Sequence, residues 1–272
     1  LHAFAGRFST GEKGGIQFES LTQELKLASE FDGSFNFVLG ASYLEDDNEF
    51  TLGYMGILFG YGLLGRTEHD IESTSYYLDG SYELSNALTL TAGVRNTKDE
   101  QDLTTFAFGA TGKDSSSSSD TTYRVVLDYD ISDSLMIYGS FNTGFKSGGY
   151  NGSWFGPTPE VEPEEIDSFE LGAKYTGDSF SFEAAFFDYD WEKLQVAVLS
   201  NDAGGSIQEN ADAEMTGFEF SSTFAPSDNI TIGLAGTWLD GEYSNYSAST
   251  HVPASSITPG ARGFIGAVRE DL

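Results

Sequence analysis

Apolar residues recur at every second position along most of this chain, the pattern of strands with one apolar and one polar face. Leu88, Leu90, Ala92 and Val94 alternate with Thr89, Thr91, Gly93 and Arg95. Tyr123, Val125, Leu127 and Tyr129 alternate with Arg124, Val126 and Asp128, and Phe169, Leu171, Ala173 and Tyr175 with Glu170, Gly172 and Lys174. Ile230, Ile232, Leu234, Gly236 and Trp238 alternate with Thr231, Gly233, Ala235 and Thr237. An amphipathic helix would return its apolar stripe every three or four residues instead.

Tight connections separate these runs at Phe31-Asp32-Gly33, Leu84-Ser85-Asn86, Ile131-Ser132-Asp133, Thr176-Gly177-Asp178 and Pro226-Ser227-Asp228-Asn229. All carry the Gly, Asn, Asp, Ser or Pro chemistry of short hairpins. The later ones recur at similar intervals, each with room for two strands of about ten to twelve residues, one turn and a loop of roughly twenty. Residues 45–70, 98–120, 146–165, 196–209 and 240 onward are therefore expected to be long loops at the other strand ends. They hold Glu45-Asp46-Asp47, the serines 115–119, and Glu160, Glu162, Glu164 and Glu165. Short turns on one side and long polar loops on the other fit an outer-membrane barrel better than a soluble sandwich. A propeller blade needs four strands per repeat, and two are legible.

The expected fold is all-β, a transmembrane antiparallel β-barrel of which about ten strands are legible. Tyr82, Tyr129 and Phe224 stand just before tight turns, and Phe141, Phe145, Phe187 and Tyr189 lie toward the opposite strand ends. They are expected to form two interfacial girdles, with the core of a soluble sandwich as the alternative.

Composition narrows the partners. Thirteen basic against 43 acidic residues leave a formal charge of −30, which excludes nucleic acid and argues against peripheral attachment to anionic lipid. With no cysteine, a disulfide scaffold and thiolate metal sites are excluded. The longest uncharged stretch, Phe50 to Gly65, has sixteen residues, five of them glycine, and is short for a membrane-spanning helix. It could fold inward as an apolar ligand surface or pack on its own rim. The opening Leu1-His2-Ala3-Phe4 has neither a charged n-region nor an apolar h-region, so it is not expected to be a signal peptide.

Signals of catalysis are weak. His2, His69 and His251 fall in expected loops or ends without metal-ligand spacing. No serine–histidine pair or Gly-x-Ser-x-Gly elbow places a nucleophile beside a base. The carboxylates of Glu160 to Asp167 could bind Ca²⁺ or bridge cations to lipopolysaccharide, but the Asp-x-Asp-x-Asp-Gly loop pattern is missing and a solvated acidic loop is expected. Neither an enzyme nor a cofactor is expected. Arg95, Arg124 and Lys174 alternate with the apolar positions and should point inward, where they can meet Glu24 or Glu170.

Several ordered motifs resemble the barrels of TonB-dependent receptors. They are Thr22-Gln23-Glu24-Leu25-Lys26-Leu27-Ala28-Ser29, Leu88 to Arg95, and above all Met136 to Asn151. Glu162-Pro163-Glu164, Ser168-Phe169-Glu170-Leu171-Gly172-Ala173-Lys174, Asn210-Ala211 and Gly217-Phe218-Glu219-Phe220 complete the series. The resemblance covers about residues 20 to 240 and implies a receptor in the bacterial outer membrane, amid its lipid and lipopolysaccharide. It implies uptake of a scarce nutrient, such as an iron–siderophore, cobalamin or a carbohydrate, powered by the TonB–ExbB–ExbD system through an N-terminal plug. Such barrels have about 22 strands around a plugged lumen. Residues 1–272 are thus expected to be one partial barrel domain, without the plug and remaining strands. Val268-Arg269-Glu270-Asp271-Leu272 lacks the aromatic strand expected at the end of a finished barrel. Alternatives are a passive porin, a surface adhesin and, more distantly, a secreted carbohydrate-binding β protein.

The turns near Ser85, Ser132, Gly177 and Ser227 should face the periplasm, and the segments near Ser117, Asn151 and Asp202 the outside. The candidate ligand site is Phe145, Lys146, Ser147, Tyr150, Asn151 and Trp154. They combine one positive charge, apolar rings and hydrogen-bonding groups around the Gly148–Gly149 pair. The alternative is structural: the motif closes the barrel rim, with Lys146 paired to a neighbouring acid.

Overall fold

The computed structural model describes residues 2–9, 15–56, 60–107, 109–151, 160–200 and 205–245. The candidate Trp154, His251, Asp202 and the C-terminal Val268–Leu272 lie outside them. Strands β1 (His2–Ser9), β2 (Gly15–Ala28), β3 (Phe35–Gly56), β4 (Gly60–Ser85), β5 (Leu88–Ala107), β6 (Ala110–Ser132) and β7 (Leu135–Lys146) run up and down in chain order. The short β8 (Gly149–Tyr150) and β9 (Glu160–Val161) follow. Then come β10 (Glu164–Thr176), β11 (Phe180–Ser200), β12 (Gly205–Ser227) and β13 (Ile230–Ser244). All but β8 and β9, which pair with each other, form one eleven-stranded antiparallel meander in which β7 pairs with β10. About ten strands were expected. The sheet is open, with β1 and β13 at its edges. All five sequence-derived turns fall between consecutive strands.

Register turns the period-two pattern into a continuous belt. Phe35, Tyr82, Leu90, Leu127, Gly139, Leu171, Phe186, Phe218 and Trp238 stand directly opposite one another from β3 to β13. Leu27, Leu39, Leu78, Val94 and Tyr123 make a parallel row. These side chains are open to the surroundings, Leu171 at 54% and Trp238 at 58%. Covering apolar area yields about 25 cal/mol per Å², so such a belt calls for an apolar medium. We call this face outer and the opposite one inner. The most buried sheet residues, among them Ser75, Thr91, Leu103, Ala185, Phe187, Val198, Ile207, Ala211 and Ala213, lie on the inner face.

Two expectations change. The segments 45–70, 98–120 and 196–209 are largely strand, because β3, β4, β5, β6, β11 and β12 continue well past the belt. The serines 115–119 pair rung for rung with Asp102 to Lys98. A ladder satisfies the backbone whatever the side chains are, and the serine run, opposite charged and amide residues, shows no apolar alternation. His69 consequently sits in β4, with its Nε2 3.1 Å from the Gln101 Oε1. Phe187 and Tyr189 do not join the outer girdle: Phe186 takes the outer row and turns both inward. Tyr82, Tyr129, Phe141 and Phe224 do lie exposed on the outer face.

Beyond the belt, the outer face aligns like charges. Glu45, Glu72 and Glu100 stand opposite one another, as do Glu19, Asp47, Asp70 and Asp102. Directly opposed like charges destabilise a sheet. Burial, then Asp47, Glu68 and Asp102, push the Asp70 carboxyl above its ordinary range, with His69 opposing. The folded hairpins therefore bind this proton more tightly than an unfolded chain, and they gain stability as pH falls through the raised pKa. Asp70→Asn should slow amide exchange in β3–β5 at neutral pH and weaken its pH dependence. Faster exchange in the variant would contradict this.

Candidate functional site

Two clusters on the inner wall share one construction. A glycine has no Cβ, so a ring from the neighbouring strand can lie across it. Tyr77 covers Gly40 and Tyr138 covers Gly172, where an added Cβ would come within 2.2 and 2.4 Å of the rings. The Tyr77 hydroxyl donates to Glu24 at 2.6 Å and the Tyr138 hydroxyl to Glu170 at 2.5 Å. Arg95 stands 5.5 Å from the Tyr77 ring centre and Lys174 5.4 Å from that of Tyr138, within cation–π range. Arg95 also donates to Ser75 at 2.6 Å and Ser42 at 3.3 Å. Arg124 lies 3.5 Å from Asp79. All three cations point inward as expected, and each meets a tyrosine ring or carboxylate of a nearby strand.

Next to the second cluster is a cavity of about 380 Å³ whose lining includes Tyr138, Lys174, Glu183, Glu219 and Thr237. With Glu170 close by, carboxylates outnumber the single ammonium there, so the cavity suits a cationic group. Higher on the wall, Phe187 stacks on Tyr189 with ring centres 5.0 Å apart, and Tyr189 meets Trp191 edge-on at 5.6 Å.

The residues singled out around the end of β7 divide between two environments. Phe145 shares the outer face with Phe141, while Lys146 lies on the other face with its Nζ 3.9 Å from Glu164. The Ser147 hydroxyl accepts from Gln101 at 3.0 Å, and its carbonyl accepts from the Gln195 amide at 2.9 Å. Tyr150 pairs with Glu160 in the β8–β9 ladder. The Asn151 amide donates to the Gln208 carbonyl at 2.9 Å and accepts from the Gln208 N–H at 2.7 Å. Lys146, Ser147 and Asn151 thus join a polar network with Gln101, Glu162, Glu164, Gln195 and Asn210. Sequence reasoning missed Gln101 and Gln195, which are solitary amides in stretches without periodicity. The Glu162-Pro163-Glu164 and Asn210-Ala211 motifs were the available signal.

A family model described as TonB dependent receptor-like, beta-barrel matches residues 3–264. A search of curated proteins found no match. Among solved structures, the ferric yersiniabactin uptake receptor FyuA from Yersinia pestis is similar at 18% identity and a TM-score of 0.71, over 90% of this chain and 39% of that one. The copper transporter OprC aligns at 14% identity and a TM-score of 0.72, over 85% and 39%. The siderophore receptor PiuA from Acinetobacter baumannii aligns at 20% and 0.66, over 87% and 40%. The chain therefore spans about two fifths of the length of these structures.

Proposed function

Because this chain belongs to the TonB-dependent receptor-like β-barrel family, we propose that it forms part of the wall of an outer-membrane receptor. The receptor binds a scarce nutrient of the iron-chelate, cobalamin or carbohydrate kind and imports it with energy from TonB–ExbB–ExbD. The observation that carries the reading is the continuous outer row from Phe35 to Trp238, backed by an inner wall of charged clusters. Lipid covers the first and a polar occupant the second. An inner wall rich in carboxylates around Glu170, Glu183 and Glu219 favours a plug that presents basic groups to it. Lys146, with Ser147, Tyr150, Asn151 and Trp154, is assigned to the ligand vestibule, while Phe145, on the outer face beside Phe141, is left to the rim.

The test is uptake by cells carrying the full-length receptor, with and without functional TonB, across a panel of ferric chelates, cobalamin and oligosaccharides. Saturable uptake that disappears without TonB while surface binding persists is expected. Uptake that is TonB-independent and linear in concentration would assign a passive porin instead. At the site, Lys146→Ala and Tyr150→Ala should weaken binding of the transported compound several-fold at unchanged surface abundance. Unchanged affinity in both would remove these residues from the vestibule and leave them a role in the rim.

A further inference from the structure

We infer that Asn151 and Asn210 are positioning residues, whose side-chain amides act as strand rungs and hold residues 146–151 and 160–164 against β12, beside a gap that the described residues leave between β6 and β11. The gap follows from strand lengths. The β6–β7 ladder stops at Arg124–Asn142, whereas β5–β6 runs on to Ala107–Ala110. The β10–β11 ladder stops at Glu165–Glu192, whereas β11–β12 runs on to Ser200–Gly205. Two tall hairpins therefore flank two short strands. Above β7 and β10, β6 and β11 stand three strand spacings apart, roughly 14 Å.

A neighbouring strand would offer β12 an N–H and a C=O at each rung. A side-chain amide carries the same donor–acceptor pair, and two asparagines use it so. Asn210 accepts from the Glu162 N–H at 2.8 Å and donates to the Glu162 carbonyl at 3.0 Å. Asn151 makes the corresponding pair with the backbone of Gln208. Asn210 also donates to the Lys193 carbonyl at 2.6 Å. That carbonyl belongs to a bulge between Trp191 and Leu194, where Lys193 takes a left-handed φ of 57°. The Lys193 N–H is taken by Asp212 at 2.9 Å, and its ammonium reaches Glu162 at 2.8 Å. The Gln195 N–H donates to the Glu164 carboxylate at 2.9 Å.

The fastened chain is seated closely. Val161 is 4% exposed, and a Cβ at Gly148 would come within 2.3 Å of the Val161 carbonyl. The asparagine bonds are neutral and individually modest, so the segment is held yet releasable. Its carrying Lys146, Ser147 and Tyr150 ties this inference to the proposed vestibule, but the fastening is testable without ligand or TonB.

Val161→Cys in the full-length receptor, on intact cells, provides the probe, because this chain has no cysteine of its own. Labelling by an impermeant maleimide, measured against the receptor without that thiol, should be slow. Adding Asn210→Asp or Asn151→Asp removes a donor and sets a carboxylate against a backbone carbonyl, which should speed labelling at least tenfold. Gln208→Ala keeps the backbone groups that Asn151 uses and should leave the rate low. Unchanged rates in both Asp variants, with a native heat-modifiable band on gels, would overturn the assignment. If Asn210→Asp lowers folded abundance, Asn151→Asp decides: a fast rate supports the fastening and a slow one overturns it. Loss of TonB dependence would remove the transport reading and leave this result standing.

Discussion

Leu171→Arg is expected to destabilise the folded barrel in lipid by about 2–4 kcal/mol, the cost of a cation on the lipid face near the bilayer midplane. Leu171 is central to the outer row, between Gly139 of β7 and Phe186 of β11. It stands five residues above Thr176, the last residue of β10. At about 3.4 Å per residue and a tilt near 40°, that is roughly 13 Å, half of an apolar band about 25 Å tall. Ser140→Arg, on the inner face opposite Glu170, should cost less than about 1 kcal/mol, since lumenal charges stay solvated or paired. Urea titration of folding into lipid vesicles, read by tryptophan fluorescence and heat-modifiability, would compare them. Equal losses from the two sites would contradict the face assignment.

Gly172→Val should cost about 2–3 kcal/mol by overpacking and loss of a hydrogen bond to a charged group. The new Cβ would lie 2.4 Å from two atoms of the Tyr138 ring and 2.6 Å from its hydroxyl oxygen. The ring has to leave, and with it go its bond to Glu170 and its contact with Lys174. The cost should shrink in a Tyr138→Ala background, because the clash is then absent, and a double-mutant cycle would read the coupling. Gly233→Ala is the control, with nothing within 4 Å of its added Cβ, and should be close to neutral. A Gly172→Val penalty unaffected by Tyr138→Ala would show that the ring is not what the glycine accommodates.

Much of this protein was legible because a strand's side-chain alternation is a local property. The five turns, the outer positions of Leu90, Leu127, Leu171 and Leu234, and the inward turn of Arg95, Arg124 and Lys174 all follow from residue type and parity. Parity fails where both faces carry similar residues. Phe186 and Phe187 are adjacent aromatics, and a shift of one residue would exchange their faces; only pairing with Leu171 and Phe218 places Phe186 outside. Past the belt the same limit hid the strands themselves, since Asp46, Ser73 and Ser116 carry no apolar alternation for a reader to register.

The amides around the end of β7 were illegible for a different reason. Gln101 and Gln195 are far from Ser147 and Glu162 in the chain and nothing local marks them, while Asn210 stood out as a motif without its partner being legible. Their meeting depends on how far β5, β6, β11 and β12 outrun β7 and β10, and on the bulge at Lys193 that turns a carbonyl toward Asn210. The residues by themselves thus determined an all-β chain with one apolar face, inward cations and tight turns on one side, because pleating and turn chemistry act over a few neighbouring positions. Strand length beyond the belt, the side taken by Phe187 and Tyr189, and the fastening of residues 146–151 and 160–164 came from the tertiary structure alone. Each depends on which residues the register brings opposite one another across the sheet.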